Sequence, residues 1–281
     1  MLNRRQKYLQ IAFNRTLEEV AVMINSLPLS KRIIIEAGYP LIKTYGTYAI
    51  SAINNFWEQR VLTPNNYKFK KSFWARGIKS WPSLFEALLK TEELEESESI
   101  SPKEERFRKI EKKKSEIEKT PFIPYIIADL KCMDRAFTEV EAAASAGASA
   151  ATCLGLAPLE TVNEFIRKCE EIGIDSILDM MNIEYPFEIL SKLIQPPKIV
   201  MLHRGVDEGE ENKEKEVPYH EIERIKSVYD DVLIAVAGGE TINEVITGAF
   251  NDADIIVVWR LFNENPERVT TITDEFLKEV K

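Results

Sequence analysis

The stretch DLKCMD at residues 129–134 places a lysine between two carboxylates at the end of an apolar run. Asp129 ends the run PYIIAD, Lys131 follows two residues later, and Asp134 comes three residues after that. Because an unpaired charge is costly to bury, these side chains must pair with one another, with a metal ion or with a ligand. They form either a structural ion-pair ring or a catalytic set in which the lysine stabilises a developing negative charge.

Polar residues or glycines also follow nearly all of the remaining apolar runs of the chain. If those runs are parallel strands, their carboxyl ends meet at the face of a barrel where active sites lie. The candidate site residues at these ends are Asn14, Glu36, Thr152, Asp179, His203 with Arg204, Gly238 with Gly239, and Arg260. We expect these residues to form one site with the DLKCMD stretch.

Short apolar runs alternate with helical patterns over most of the chain. Two of the helical patterns are LETVNEFIRKCEEIG at 159–173, which ends on a glycine, and PFEILSKLI at 186–194. Such alternation is typical of a parallel sheet covered by helices on both faces. Eight strand–helix units without a nucleotide fingerprint favour an α/β fold of the (β/α)8 TIM-barrel type. An open doubly wound sheet is the alternative.

Residues 56–120 interrupt this alternation between the second helix and the third strand. Their first part is aromatic and basic, and the second, TEELEESESISPKEERFRKIEKKKSEIEK, is almost wholly charged. We therefore predict one barrel formed by residues 1–55 and 121–281, with a largely helical, charged insertion at 56–120. The aromatic part fits a small core against the barrel or a subunit contact, and a surface for a polyanion or another partner is the alternative.

Composition narrows the class of protein. The chain has 281 residues and a formal net charge of −9, which argues against a general nucleic-acid-binding role. Its three cysteines form no CxxC pair, which favours a reducing cytoplasm, and its two histidines make a His-rich zinc site unlikely on composition. We expect neither a signal peptide nor a membrane span, because the apolar run at 142–157 is short and broken by glycines. Abundant Ile, Lys and Glu are typical of many thermophile proteins.

These motifs together resemble the orotidine monophosphate decarboxylase superfamily. DLKCMD matches its DxKxxD signature, and HRGVD, AVAGG and VVWRLF follow in the family's order at strands six, seven and eight. IIIEAGYPLI resembles the EAGTPLI segment of the branch that holds 3-hexulose-6-phosphate synthase and 3-keto-L-gulonate-6-phosphate decarboxylase. Glu36 stands where the orotidine branch has a lysine. The resemblance covers about residues 7–55 and 121–281, so it leaves out the insertion.

The resemblance implies roles for the strand-end residues. Glu36 and Asp129 would hold a Mg²⁺ ion, and Lys131 would stabilise the oxyanion of an enediolate. His203 would move the proton, and Asp179 would bind substrate hydroxyls or a catalytic water. Other roles remain open on the sequence alone. Glu36 can pair with Lys131, His203 can be satisfied by backbone, and Asp179 can cap the following helix.

The resemblance further implies a phosphorylated small-molecule substrate and a homodimer. Gly238, Gly239 and Arg260 would bind the phosphate, although the glycines can also be ordinary turn residues. Asp134, the last acid of DxKxxD, would reach into the neighbouring subunit's site. Cys132 is expected to pack as a small apolar residue.

Three residues depart from the family pattern. Asn14 replaces an aspartate, Tyr39 replaces the threonine of EAGTPLI, and Trp259 replaces the glycine before Arg260. All three belong to the predicted substrate-binding set. They bear on the identity of the substrate and on whether activity is kept.

The sequence thus predicts a Mg²⁺-dependent aldehyde-lyase resembling 3-hexulose-6-phosphate synthase, which joins ribulose 5-phosphate and formaldehyde. One alternative is a decarboxylase of the same superfamily, acting on orotidine monophosphate or a sugar-acid phosphate. The other is a catalytically weakened barrel that binds a phosphorylated ligand or serves as an assembly module.

Overall fold

The structure, a computed structural model, describes residues 2–62, 122–212, 214–238, 242–264 and 268–280. The strands are β1 (Tyr8–Phe13), β2 (Ile33–Ala37), β3 (Ile126–Cys132), β4 (Ala150–Leu154), β5 (Asp175–Asp179), β6 (Ile199–His203), β7 (Leu233–Ala237) and β8 (Ile255–Val258). The helices of the first half are α1 (Leu17–Ser26), α2 (Tyr39–Tyr45), α3 (Thr47–Leu62), α4 (Ala136–Ser145) and α5 (Leu159–Ile172). Those of the second half are α6 (Phe187–Leu190), α7 (Val206–Glu211), α8 (His220–Val228), α9 (Ile242–Phe250), α10 (Arg260–Glu264) and α11 (Val269–Glu279).

The eight strands form a closed parallel barrel in sequence order, with β8 paired to β1. The predicted (β/α)8 TIM barrel is therefore confirmed, and the open doubly wound alternative is wrong. Closure leaves no free sheet edge, because every strand has a partner on both sides. It also brings the ends of β8, β1 and β2 together, although residue 259 lies far from residue 14 along the chain.

The strands are buried on both faces, which explains why their sequences are almost continuously apolar. One cluster of buried residues comes almost entirely from strands, and it includes Ile34, Ile127, Ile177 and Ile199. It therefore fills the inside of the barrel. A second cluster joins the outward faces of the strands to the helices, as in the packing of Leu178 with helix residues. Its helical members include Val140, Val162, Phe165, Ile222 and Ile225.

Local sequence signals set several helix ends. Thr16 and Glu19 form a capping box at the start of α1, in which each side chain accepts a hydrogen bond from the other's backbone. Gly173 follows α5 at a φ of 88°, and Gly147 follows α4 at a φ of 95°. This left-handed conformation favours glycine, so the helix end predicted at Gly173 is confirmed, and Gly147 ends α4 in the same way.

Two helices differ in length from the sequence patterns. Helix α3 continues past the boundary predicted at residue 55 to Leu62, because Ile53, Trp57 and Val61 are buried at helical spacing. Helix α6 covers only Phe187–Leu190 of the predicted 186–194 helix. The two prolines at 196 and 197 follow, and the residue before a proline is driven away from helical conformation.

The chain divides into two compact units, residues 1–58 with 124–281, and residues 59–123. The first unit is the barrel. Most of the insertion predicted at 56–120 lies outside the described residues, so its helical content and its possible partners stay predictions.

Replacing Gly173 by alanine is expected to lower the free energy of unfolding by about 1 kcal/mol, because a Cβ is unfavourable in the left-handed region. No atom lies within 4 Å of the added Cβ, so the loss reports backbone conformation alone. Urea unfolding measures the change.

Gly248→Ala is the matched control. Gly248 lies inside α9, and the added Cβ would make an ordinary contact of 3.5 Å with Ile256. Alanine is the better helix former, so this variant should be as stable as the wild type or more stable. Equal losses in both variants would contradict the conformational explanation.

Candidate active site

A cavity of about 590 Å³ opens at the carboxyl ends of the strands. Nine of the twelve predicted site residues line it: Asn14, Glu36, Tyr39, Asp129, Lys131, His203, Gly238, Trp259 and Arg260. Gly239 lies outside the described residues. Asp134 and Asp179 are not lining residues, and their positions are described below. The cavity is therefore where the sequence expected the chemistry.

The two-residue alternation of the strands aims the site side chains inward. Ile34, Ile127 and Ile177 belong to the cluster inside the barrel. Side chains two residues apart in a strand share one face, so the residue two positions later points into the barrel mouth. This rule places Glu36 after Ile34 and Asp129 after Ile127. It likewise places Asp179, His203 and Trp259 after Ile177, Met201 and Val257.

Lys131 is the centre of the charged network. Its Nζ lies 3.0 Å from Oδ2 of Asp179 and 3.4 Å from Oδ2 of Asp129. Burial alone would lower the pKa of this lysine, but the two carboxylates outweigh burial and raise the pKa above its ordinary value. The ammonium group is therefore charged at neutral pH. Its second carboxylate is Asp179, which lies on another strand, and not its sequence neighbour Asp134.

The backbone of Lys131 is strained where it presents this side chain. Its φ is 46°, and the pairing of β3 with β4 shifts register between Ala128 and Cys132. Thr152 holds this bulge, because its Oγ1 accepts the Lys131 N–H at 3.0 Å and donates to Asp129 Oδ1 at 2.7 Å. A left-handed conformation in a non-glycine residue persists only where the surroundings impose it, and such sites are often functional.

Asp179 lies fully buried beneath the cavity. Its carboxylate faces Lys131, accepts the backbone N–H of Met181 at 3.0 Å, and lies 2.9 Å from Nδ1 of His203. Burial would raise the pKa of Asp179, but His203 and Lys131 together lower it to about 2. A carboxylate that is ionised throughout the neutral range can only accept, so Nδ1 of His203 donates to it. Nε2 is then the ring nitrogen left for the cavity.

The pKa of Glu36 is shifted in the opposite direction to that of Asp179. It is buried, accepts a hydrogen bond from Nε2 of Gln10, and has a pKa raised to about 8. Burial is the main cause, and the negative charge of Asp129 is the next. Two acidic groups thus face one cavity and repel each other.

A divalent cation between Glu36 and Asp129 would relieve this repulsion. In the part of the chain that the structure describes, no three His, Cys, Asp or Glu side chains are grouped as a ready metal cage. A pair of carboxylates completed by water and substrate oxygens is nevertheless the usual protein contribution to a Mg²⁺ site. The residues present therefore fit the predicted ion.

The backbone conformation and the close packing at position 238 require a glycine. Its φ is 103°, and a Cβ added there would lie 2.5 Å from the carbonyl oxygen of Arg204. The Arg204 side chain donates to the Gly238 carbonyl at 2.7 Å and to the Lys215 carbonyl at 3.1 Å. Arg204, a candidate site residue on sequence, therefore fixes the end of β7 through these two hydrogen bonds.

The three departures from the family pattern become neighbours in the barrel. Trp259, Asn14 and Tyr39 follow the adjacent strands β8, β1 and β2. Asn14 also explains Gly38, because a Cβ at Gly38 would lie 1.9 Å from Oδ1 of Asn14. The departures thus remake one side of the cavity. Asp129 and Lys131, on β3, lie outside this remade side.

Two arginines, Arg260 and Arg15, lie at the opening of the cavity. Arg260 donates to Oε1 of Glu210 at 2.6 Å, and its Cζ lies 5.8 Å from the Trp259 ring centre. Arg15 lines the cavity, although the sequence analysis did not single it out. Its position directly after Asn14, at the end of β1, is the signal that could have found it.

Asp134 lies away from this network. It is exposed, and no described residue forms an ion pair with its carboxylate. It stands before α4, beside the exposed apolar side chains of Met133 and Phe137. Its predicted role in a neighbouring subunit stays a prediction.

The sequence profile of the "Orotidine 5′-phosphate decarboxylase / HUMPS family" matches residues 105–272. The chain belongs to this family. A bifunctional enzyme Fae/Hps of Methanocella arvoryzae is 31% identical over 277 residues, which cover 98% of this chain and 53% of that protein. The corresponding enzyme of Methanosarcina mazei is 29% identical over 272 residues, which cover 96% of this chain and 52% of that protein.

The chain therefore spans about half the length of the curated relatives that it matches. Among solved structures of the family's fold, 3-hexulose-6-phosphate synthase from Salmonella typhimurium matches with a TM-score of 0.63 and 20% identity. The match covers 97% of this chain and 99% of that one. At this identity the likeness bears on the fold. No helix among the described residues is both long enough and apolar enough to span a membrane.

Asp179→Asn is expected to lower the free energy of unfolding at pH 7 by about 3 kcal/mol, because it breaks a buried charge pair. The folded pKa of Asp179 lies below its unfolded value of about 4. Its contribution is therefore complete above pH 4 and is lost as the pH falls towards 2. The stability gap between wild type and variant should close over that window.

Urea unfolding at several pH values between 2 and 7 measures this gap. The control is Asp230→Asn, which removes one exposed carboxylate. A gap that stays constant down to pH 2 would show that Asp179 gains nothing from its ionised state.

Glu36→Gln is expected to stabilise the metal-free protein at pH 8. The folded pKa of about 8 lies above the unfolded value, so the ionised carboxylate weakens the fold increasingly as the pH rises from about 4.5 to 8. Glutamine removes this cost and can still accept the hydrogen bond of Gln10. Below pH 5 the two proteins should be about equally stable.

Addition of Mg²⁺ should reverse the order. Saturating Mg²⁺ is expected to raise the melting temperature of the wild type by mass action and to leave Glu36→Gln almost unchanged. Thermal unfolding with EDTA and with Mg²⁺ gives both results. Equal Mg²⁺ shifts in the two proteins would remove Glu36 from the ligand set.

Proposed function

We propose that this chain is a Mg²⁺-dependent aldehyde-lyase that joins ribulose 5-phosphate and formaldehyde to form a 3-hexulose 6-phosphate, and catalyses the reverse cleavage. The observation that carries the proposal is the Asp129–Lys131–Asp179–His203 network, which presents one fixed cation and one histidine nitrogen to the same cavity. Membership of the family and similarity to the Fae/Hps relatives support this choice of reaction.

The reaction needs a proton to leave a carbon next to a carbonyl group. His203 is suited to take it, because Asp179 holds Nδ1 and leaves Nε2 toward the substrate. A histidine works near neutral pH, where it can both accept this proton and return it during cleavage.

Loss of this proton places negative charge on the substrate oxygens as the enediolate forms. Lys131 stabilises that charge, since its ammonium group is fixed by Asp129 and Asp179 before the substrate arrives. When bound by Glu36 and Asp129, Mg²⁺ would supply Lewis-acid polarisation of the substrate's carbonyl and hydroxyl oxygens. Asp179 does not line the cavity, so we assign it a positioning role toward Lys131 and His203.

We also propose that the protein acts as a homodimer to which Asp134 contributes. In this chain its carboxylate is exposed and lies outside the Lys131 network. The neighbouring exposed side chains of Met133 and Phe137, 44% and 45% accessible, supply apolar surface for a subunit contact.

His203→Gln is expected to lower kcat for consumption of formaldehyde with ribulose 5-phosphate by about 10²- to 10⁴-fold, the usual effect of losing a general base. The substrate's KM should change little, because Lys131 and the phosphate-binding groups remain. The control is His220→Gln, which changes the chain's other histidine, an exposed side chain outside the cavity.

The same variant tests the dimer. A mixture of His203→Gln and Asp134→Asn subunits should regain activity, because one site of each mixed dimer carries neither change. Absence of turnover by the wild-type protein with Mg²⁺, in both directions, would refute the aldehyde-lyase. Release of CO₂ from orotidine monophosphate or a sugar-acid phosphate would identify the decarboxylase alternative, and binding without turnover would identify the weakened barrel.

A further inference from the structure

The cavity has two chemically different sides. On the side of β3, β5 and β6, the polar groups of Asp129, Lys131, Asp179 and His203 are paired with one another. The other side, at the ends of β8, β1 and β2, carries Trp259, Arg260, Asn14, Arg15 and Tyr39. Among the described lining residues, this second side holds cations and aromatic rings, and its one strand-end carboxylate is Glu36. It is suited to an anionic part of a ligand that does not react.

The cationic side chains that line the cavity differ in how many hydrogen bonds and ion pairs they already form. Lys131 is held by two carboxylates, and Arg204 donates to the carbonyl groups of Lys215 and Gly238. Arg260 donates to Glu210 at 2.6 Å. Each of these groups has a structural partner.

Arg15 forms fewer of these contacts than the other three cations. Among the described residues, its guanidinium has no hydrogen-bond partner, and its ion pair is with Glu19, at 3.7 Å from Oε1. Glu19 is itself committed, because its Oε2 accepts from the backbone N–H and the hydroxyl of Thr16 at 3.2 and 3.3 Å. The guanidinium fork of Arg15 thus has one weak ion pair at the cavity mouth, and the geometry of such a fork matches the oxygens of a phosphate.

The location of Arg15 is unfavourable for a purely structural cation. It immediately precedes Thr16, the N-cap of α1, where the positive end of the helix dipole repels positive charge. Its side chain is 50% exposed, so it covers little of the core. Stability of α1 therefore does not explain the arginine.

Arg15 and Arg260 come from adjacent strand ends. Ile11 of β1 is paired with Val258 of β8, so the residues that follow the two strands leave the barrel side by side. Both side chains line the same cavity. Two guanidinium groups on neighbouring strands can bind one phosphate group from two directions.

We propose that Arg15 is a specificity-determining residue that binds the phosphate group of the substrate together with Arg260. The choice of ribulose 5-phosphate as that substrate rests on the proposed function, whereas the binding of a phosphate ester does not. Glu19 is the counterion that the phosphate displaces from Arg15.

The test is binding of ribulose 5-phosphate and of inorganic phosphate, measured by calorimetry at fixed ionic strength with the full chain. Arg15→Ala should raise both dissociation constants roughly ten- to hundredfold, the value of lost hydrogen bonds to a charged group. Arg15→Lys should recover part of the loss, because it keeps the charge but not the fork. In turnover, Arg15→Ala should raise KM and leave kcat nearly unchanged.

Two further variants separate this role from general electrostatics. Arg5→Ala removes the same charge from an exposed position outside the cavity and should leave both dissociation constants within twofold. Glu19→Gln keeps an oxygen acceptor for the capping box, removes the competing charge, and should tighten phosphate binding. An equal loss of affinity for the two ligands in Arg5→Ala and Arg15→Ala would overturn the proposal.

The remaining outcomes distinguish the inference from the proposed function. Unchanged binding in Arg15→Ala, or a wild type that binds neither ligand, overturns the role of Arg15. Binding that depends on Arg15 without any formaldehyde turnover upholds that role and refutes the aldehyde-lyase. Formaldehyde turnover with a KM that is unchanged in Arg15→Ala upholds the aldehyde-lyase and refutes the role of Arg15.

Discussion

The contact between Lys131 and Asp179 is the interaction on which the site depends. Asp179 is fully buried, and an isolated carboxylate in that position would be neutral rather than charged. Lys131 at 3.0 Å, with His203 on the other side, keeps it ionised. The ionised carboxylate in turn fixes the lysine and sets the histidine's orientation. One pair therefore joins β3, β5 and β6 into a single chemical unit.

The barrel gives its carboxylates opposite properties. Asp179 lies between Lys131 and His203 and has a pKa of about 2, whereas Glu36 faces Asp129 and has a pKa of about 8. Both are buried in the same mouth, so burial alone does not distinguish them. The difference comes from the charged groups that surround each carboxylate.

The two sides of the cavity also divide reaction from recognition. In the proposed function, the network on β3, β5 and β6 takes the proton and stabilises the enediolate. The proposed phosphate site lies on the opposite side, where Asn14, Tyr39 and Trp259 depart from the family pattern. The fold shared with 3-hexulose-6-phosphate synthase, at 20% identity, shows the architecture alone, so the chemistry has to be argued from the side chains of the site.

The sequence by itself determined the elements and the polar residues at their ends. Short apolar runs that alternate with helical patterns predicted the barrel, Gly173 marked a helix end, and DLKCMD marked the charged site, because these signals depend on neighbours along the chain. Tertiary structure alone decided that Lys131 pairs with Asp179 rather than Asp134, and that Arg15 enters the cavity. The barrel decides these positions, because it brings β3 and β5 to either side of β4 and pairs the end of β8 with β1, which no local sequence pattern relates.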